Sequence, residues 1–232
     1  EKVDKTIAAI LGAGAVIMLH YIPYEEVLHL IDLNVIFLLI GMMVIVSVLS
    51  SAGLFEWVAI KLARVGKGEG LPIIIMLLLA TAFLSAFLDN VTTVILIAPI
   101  TILLAQILDI SAVPILILEA VFSNIGGTAT LVGDPPNILI GSETSLCFND
   151  FLLNLAPIVL IVIFVSLVVT YLLMRRAAKT TAAARDCILK SKPERAIVDP
   201  VRLKRGLFVF GLVLAGFFCG RLRGSWQFAA PY

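Results

Sequence analysis

Four stretches of this chain, residues 6 to 22, 33 to 53, 151 to 174 and 206 to 220, approach or reach the ~20 apolar residues a helix needs to cross a hydrocarbon layer. Two more, 71 to 108 and 113 to 140, are as apolar but are interrupted by polar breaks. Lipid offers no partners for backbone N–H and C=O groups, so runs of this length must be helical. Composition agrees: 61% of the 232 residues are apolar and 14% charged, with a mean hydropathy of +1.11, where a soluble domain is roughly 45–50% apolar and about 25% charged. The expected fold class is therefore an all-α, multi-pass integral membrane protein whose constant partner is the lipid bilayer. The first run ends without a small-residue cleavage site, so it is expected to stay as a helix and not to be removed as a signal peptide.

The interrupted stretches carry the organisation. As one helix, 71 to 108 would be ~57 Å long, with Asp89-Asn90-Val91-Thr92-Thr93 at its centre. In 113 to 140 the breaks are Asn124-Ile125-Gly126-Gly127-Thr128 and Gly133-Asp134-Pro135-Pro136-Asn137; the paired prolines remove two donors and push Asp134 out of helical geometry. Basic residues orient the chain, because cytoplasmic loops carry the Lys and Arg excess. Lys61, Arg64 and Lys67 fall in one connection, and ten basic residues between Arg175 and Arg205 fall in another against Asp186, Glu194 and Asp199. Connections 23 to 32 and 141 to 150 hold acids and no Lys or Arg. A cytoplasmic N-terminus satisfies all of these only if 71 to 108 returns to the side it entered from. The expectation is a hairpin with a polar tip, re-entrant and shielded by other helices, followed by a discontinuous helix. Residues 1 to 174 then form one transporter repeat, 175 to 205 a solvated basic linker that can hold a surface-lying helix, and 206 to 232 the start of a second part. The plasma (inner) membrane is the expected location. His20 and His29 fall near the outer interface.

Three carboxylates lie within these apolar segments: Asp89, Glu119 and Asp134. Each costs ~2.5–3.5 kcal/mol at membrane depth on insertion scales, so such residues usually mark a pathway or an ion site. No Lys or Arg between 71 and 174 neutralises them, which points to protons or metal cations, or to groups outside this chain. Unwound backbone exposes carbonyls for a hard cation, and half-helix N-termini offer amides to an anion. Asn90, Thr92, Thr93, Ser123, Asn124, Thr128, Thr130 and Asn137 add neutral oxygens suited to Na⁺, and Gly126, Gly127 and Gly133 allow close backbone approach. Each acid also has a purely structural reading: Asp89 as a helix cap, Asp134 as a turn residue, Glu119 as a packed neutral group, and Gly126-Gly127 as simple helix packing. Cys147, Cys187 and Cys219 have no paired spacing and read as small apolar residues. Nothing in the chain resembles a catalytic constellation; Gly66-Lys67-Gly68-Glu69-Gly70 lacks phosphate-loop spacing, and the basic segment lacks the interleaved aromatics of a nucleic-acid binder. Neither an enzyme nor a nucleic-acid partner is expected, and no cofactor beyond a coupling ion, Na⁺ or H⁺.

The runs Leu84-Ser85-Ala86-Phe87-Leu88-Asp89-Asn90-Val91-Thr92-Thr93 and Ser123-Asn124-Ile125-Gly126-Gly127-Thr128-Ala129-Thr130-Leu131-Val132-Gly133-Asp134-Pro135-Pro136-Asn137 resemble the arsenite permease, sodium/proton antiporter and P-protein family. That family lies in the ion transporter superfamily, which also holds citrate-transporter-like proteins and dicarboxylate symporters. The resemblance covers about residues 33 to 175. It implies one half of an inverted-repeat transporter, with Asn90 and Thr92 at the hairpin tip and Gly133, Pro136 and Asn137 in the later loop lining an ion and substrate site. A Na⁺ at Asp89, Asn90, Asp134 and Asn137 is what it implies for a metal. Asp89 and Asp134 stand where the dicarboxylate relatives have Ser and Thr, so this version is more anionic and better suited to Na⁺ or H⁺ exchange. The expected function is cation-coupled secondary transport of ions by alternating access. An arsenite, oxyanion or citrate-like permease and a non-transporting membrane protein are the alternatives. The chain carries only the first half's motifs, and Cys219 to Tyr232 turns polar. A truncated or frameshifted product is therefore expected, completed by a missing second half, a partner subunit or a second copy in a homodimer.

Overall fold

A computed structural model describes residues 5–19, 21, 23, 31, 33–144, 146–176, 178, 180–191 and 193–219. The expectations for His20, His29 and the tail beyond 219 lie outside these residues. Every regular element among the described residues is helical: α1 (Lys5–Met18), α2 (Leu33–Ser51), α3 (Leu54–Val65), α4 (Gly70–Ser85), α5 (Asn90–Leu108), α6 (Ala112–Gly127), α7 (Pro135–Glu143), α8 (Phe148–Met174), α9 (Ala182–Lys190) and α10 (Pro200–Cys219). Residues 1–38 form one compact unit and 39–232 another.

In the first unit, α1 is apolar but has only 14 residues, ~21 Å of helix, which is shorter than a span. Within the second unit, α5 and α8 are long and apolar enough to cross a membrane by themselves. The 27 residues of α8 extend ~40 Å and can tilt within a bilayer. Leu153, Leu160, Ile161, Phe164 and Leu173 of α8 are exposed, an arrangement that needs hydrocarbon around it.

The expected helix over 33 to 53 ends earlier and turns into a second helix. Gly53 adopts φ +87°, and the axis of α2 bends by 59° into α3. Helix α3 lies where a plain basic connection was expected. Its buried stripe of Phe55, Ala59 and Ala63 recurs every four residues, while Lys61 sits over the Trp57 ring at 4.4 Å.

Residues 71 to 108 fall into two helices, α4 and α5, joined at 86–89. Helix α4 is apolar on all sides, the pattern of a buried helix, and packs most closely on α6. That contact depends on Gly126: a β-carbon there would strike the carbonyl of Ala82. The second broken helix falls into α6 and α7, separated by 128–134. Pro135 and Pro136 open α7, where their missing N–H groups cost nothing.

The segment 175 to 205 is not the freely solvated linker its charge suggested. Thr180 Oγ1 accepts from the Gly70 amide at 2.7 Å. The Val198 amide donates to Ala52 O at 3.1 Å, Ile188 of α9 is buried, and Arg185 pairs with Glu69 at 3.7 Å. Three glycines make this docking possible. A β-carbon on Gly53 would overlap the Ala196 carbonyl, one on Gly68 would lie 2.8 Å from Arg185 Cα, and one on Gly70 would lie 2.6 Å from Ala178 O. Cys147, the N-cap of α8, and Cys187, on α9, are exposed free thiols.

Asp199 starts α10. Its Oδ1 accepts from the amides of Val201 (3.0 Å) and Arg202 (2.9 Å), and these donors, the Arg202 amide foremost, hold the carboxyl below its ordinary value. A carboxylate favoured in this way stabilises the helix start at all pH values above the unfolded-state pKa and loses that effect as pH falls through the lower, folded-state value. The backbone amide shifts of Val201 and Arg202 should therefore hold steady through the ordinary carboxylate range and move only below it, while Asp199→Asn, a neutral cap, removes the transition.

Candidate functional site

The polar ends of four helices converge on one place. Ser85 closes α4, Asp89 and Asn90 open α5, Ser123 and Asn124 close α6, and Asp134 opens α7. Each local conformation follows from sequence. Asp89 is the N-cap of α5, accepting from the Thr92 amide at 2.8 Å and the Thr92 hydroxyl at 2.6 Å. Thr93, fully buried, donates to Asp89 O at 2.9 Å. The cap reading of Asp89 therefore describes one thing it does.

Asn90 joins the cluster. Its Nδ2 donates to Asn124 Oδ1 at 2.8 Å and to Asp134 Oδ1 at 3.4 Å, and its Oδ1 accepts from the Val91 amide at 2.7 Å. Its carbonyl accepts from Ser123 Oγ at 2.8 Å, and Ser85 Oγ donates to Ser123 O at 2.8 Å. The break 128–134 is tied to the hairpin tip through Thr130, whose hydroxyl donates to Ala86 O and accepts from the Val132 and Gly133 amides at 3.3 and 3.2 Å. Asn137 Nδ2 donates to Thr130 O at 2.9 Å. The strands of irregular backbone touch: a β-carbon on Gly133 would lie 2.6 Å from Ser85 O, and one on Gly127 would lie 2.7 Å from Gly133 O. Only glycine permits that approach.

Asp134 does not cap α7 with its side chain; it turns toward Asn90 instead. Asp89 adjoins Asn90 in the chain and the Asn90 amide reaches Asp134, so the two carboxylates flank one side chain. A cleft of about 240 Å³ lies beside them, between Met42, Met43 and Val46 of α2 and Asp89, Thr92 and Pro135.

Of the residues singled out from sequence, Asp89, Asn90, Thr92, Thr93, Gly126, Gly127, Gly133, Asp134 and Asn137 meet here. Asn124 also meets here through Asn90, though it is exposed, and Thr128 and Pro136 are exposed beside it. Glu119 is elsewhere. It is wholly buried along α6, held by Thr101 Oγ1 at 2.5 Å, and Thr101 lies eleven residues beyond Asn90, ~17 Å along α5. Ser85 and Thr101 are the residues sequence reading passed over. Ser85 precedes Asp89 by four positions in an apolar run, a signal of sorts; Thr101 has none, because only the packing of α5 on α6 selects it.

The sequence profile of a citrate transporter family matches residues 1–225. A 46 kDa membrane protein of Mycobacterium leprae is 53% identical over 166 residues, which are 70% of this chain and 39% of that protein. An uncharacterized transporter of Mycobacterium bovis is 50% identical over 167 residues, again 70% and 39%. The human P protein is 42% identical over 151 residues, 63% of this chain and 18% of that protein. The chain thus spans about two fifths of the length of the mycobacterial relatives.

Proposed function

This chain belongs to the citrate transporter family, and we propose that it forms one side of the ion pathway in a secondary active transporter coupled to Na⁺ or H⁺. The observation that carries the choice of a cation is the occupancy of the helix N-termini. At α5 the amides of Val91, Thr92 and Thr93 already donate to Asn90 Oδ1, Asp89 Oδ2 and Asp89 O. At α7 the first two residues are prolines, and the Asn137 and Ile138 amides donate to Asp134 O. Few amides remain for an arsenite, an oxyanion or a citrate carboxylate. What the cluster offers is oxygen: two carboxylates, the Asn124 and Asn137 amide groups and the carbonyls of 128–134, a donor set suited to a hard cation.

Asn124, Thr128 and Pro136 are exposed, where the remaining length of the relatives has room to complete the site, whether as a second half, a partner subunit or a second copy. Loading Na⁺ or a proton at Asp89 and Asp134 would bias an alternating-access equilibrium to the extent that the ion binds the two states unequally. The basic segment 175 to 205 and the N-terminus would face the cytoplasm across the plasma (inner) membrane.

Flux measured with a full-length version in proteoliposomes tests the reading. Asp89→Asn and Asp134→Asn should each reduce Na⁺- or pH-driven flux by about 10–100-fold, the range typical of losing a supporting partner of a bound ion. Flux unchanged by both substitutions would sink it.

A further inference from the structure

Of the three carboxylates within the apolar segments, Glu119 is the one that the cluster does not use. It is 0% exposed, and although Thr101 Oγ1 donates to its Oε1 at 2.5 Å, its Oε2 is buried without a hydrogen-bond partner. Both neighbours sit on rigid elements: Thr101 in the middle of α5, and Glu119 on the buried stripe of α6 that continues through Phe122, Ser123 and Gly126. That stripe leads to Ser123, whose hydroxyl holds the Asn90 carbonyl.

We propose that Glu119, with Thr101, is a second proton-exchange site, set apart from the Asp89–Asp134 cluster, whose ionised form requires water to enter the α5–α6 interface. The inference rests on reading the chain as part of an ion-coupled transporter. No cation among the described residues is at hand to balance a charge there. Among the described residues α4 and α5 carry no ionisable side chain, α6 carries only Glu119, and α8 carries Asp150, engaged by the Cys147 amide, and the half-exposed Tyr171. Glu56, Lys61 and Arg64 of α3 and Arg185, Asp186 and Lys190 of α9, the other helices that meet α5, are exposed.

In the protonated form the carboxyl is uncharged, and one hydroxyl contact with a single polar atom left over is a tolerable state for a closed apolar interface. In the ionised form a whole charge has one donor, which a dry interior does not sustain. Release transfers the proton from the carboxyl oxygen to water that enters between α5 and α6. Re-protonation takes a proton from that water and lets the interface close. Protonation and hydration of this seam are therefore linked, and α6 carries the change to Ser123 and Asn90.

The experiment is infrared difference spectroscopy on the purified full-length protein across a pH titration, with flux recorded in parallel. The expected result is a buried-carboxyl C=O band that disappears on alkalinisation, with concurrent amide hydrogen exchange along α5 and α6. That band should be absent in Glu119→Gln, whose pH profile of flux should be altered. Thr101→Val, which keeps the carboxyl and its volume, should shift the midpoint of the band's titration. A band that is missing in the wild type, that is pH-invariant, or that survives in Glu119→Gln would overturn the proposal, as would an unaltered pH profile of flux in that variant. The band reads Glu119 whether or not Asp89→Asn and Asp134→Asn affect flux, so failure of the transport reading shows separately.

Discussion

Gly126→Ala should leave little correctly folded protein in the membrane. The added β-carbon would occupy the space of the Ala82 carbonyl, and backbone on the receiving side cannot rotate away as a side chain would. Helices α4 and α6 must separate along their closest contact, which carries Ala82 and Phe122 in the core cluster and Ser85 and Ser123 in the polar one. Overpacking of this kind costs about 1–3 kcal/mol and sometimes more, a large share of a typical stability of about 5–15 kcal/mol. Gly211→Ala is the matched control, since a β-carbon at Gly211 meets nothing within 4 Å and a mid-helix alanine is favoured by roughly 0.5–1 kcal/mol. Thermal midpoint and detergent-extracted yield should fall sharply for the first and hold or rise for the second. Equal behaviour would mean that α4 and α6 do not pack as described.

Asn90→Ala should do the opposite: spare the fold and remove transport. The side chain lies at the partly exposed tip, and the backbone tie from Ser123 Oγ to Asn90 O survives the substitution. Lost are both amide donations, to Asn124 and to Asp134, and the acceptor for the Val91 amide. Asp134 would then be free to swing from the position in which the site holds it. Flux in a full-length version is expected to drop about 10–100-fold while the thermal midpoint falls by no more than about 10 degrees, since the three hydrogen bonds lost at this partly exposed tip contribute about 1 kcal/mol each. Retained flux would remove Asn90 from the pathway.

How much of this was legible beforehand depends on the range of the forces involved. The hairpin and the 128–134 break are local facts: Asp89 before Thr92 is a capping pattern, and Gly126-Gly127 followed by Asp134-Pro135-Pro136 cannot continue a helix. Helix α3 escaped notice because its twelve residues are too few for a span, and Glu56, Lys61 and Arg64 made the segment read as a basic connection. The docking of 178–198 was hidden for the reverse reason. Its charges read as solvated, although Ala184 and Ile188 are buried and glycines on the partner turns leave room for Ala178, Arg185 and Ala196. Glu119 could be suspected from its type and depth, but its pairing with Thr101 depends on the register of α5 against α6, which no spacing within either helix encodes.

The fastening of residues 178–198 bears on how the hairpin could ever move. With Gly70 latched to Thr180 and Gly68 pressed on Arg185, the root of α4 is bolted down at the end remote from Asp89. An elbow at residues 66–70 would first have to tear that latch open. A tip that swings as a rigid lever would therefore carry the start of α9 along, making the basic segment a passenger of the stroke.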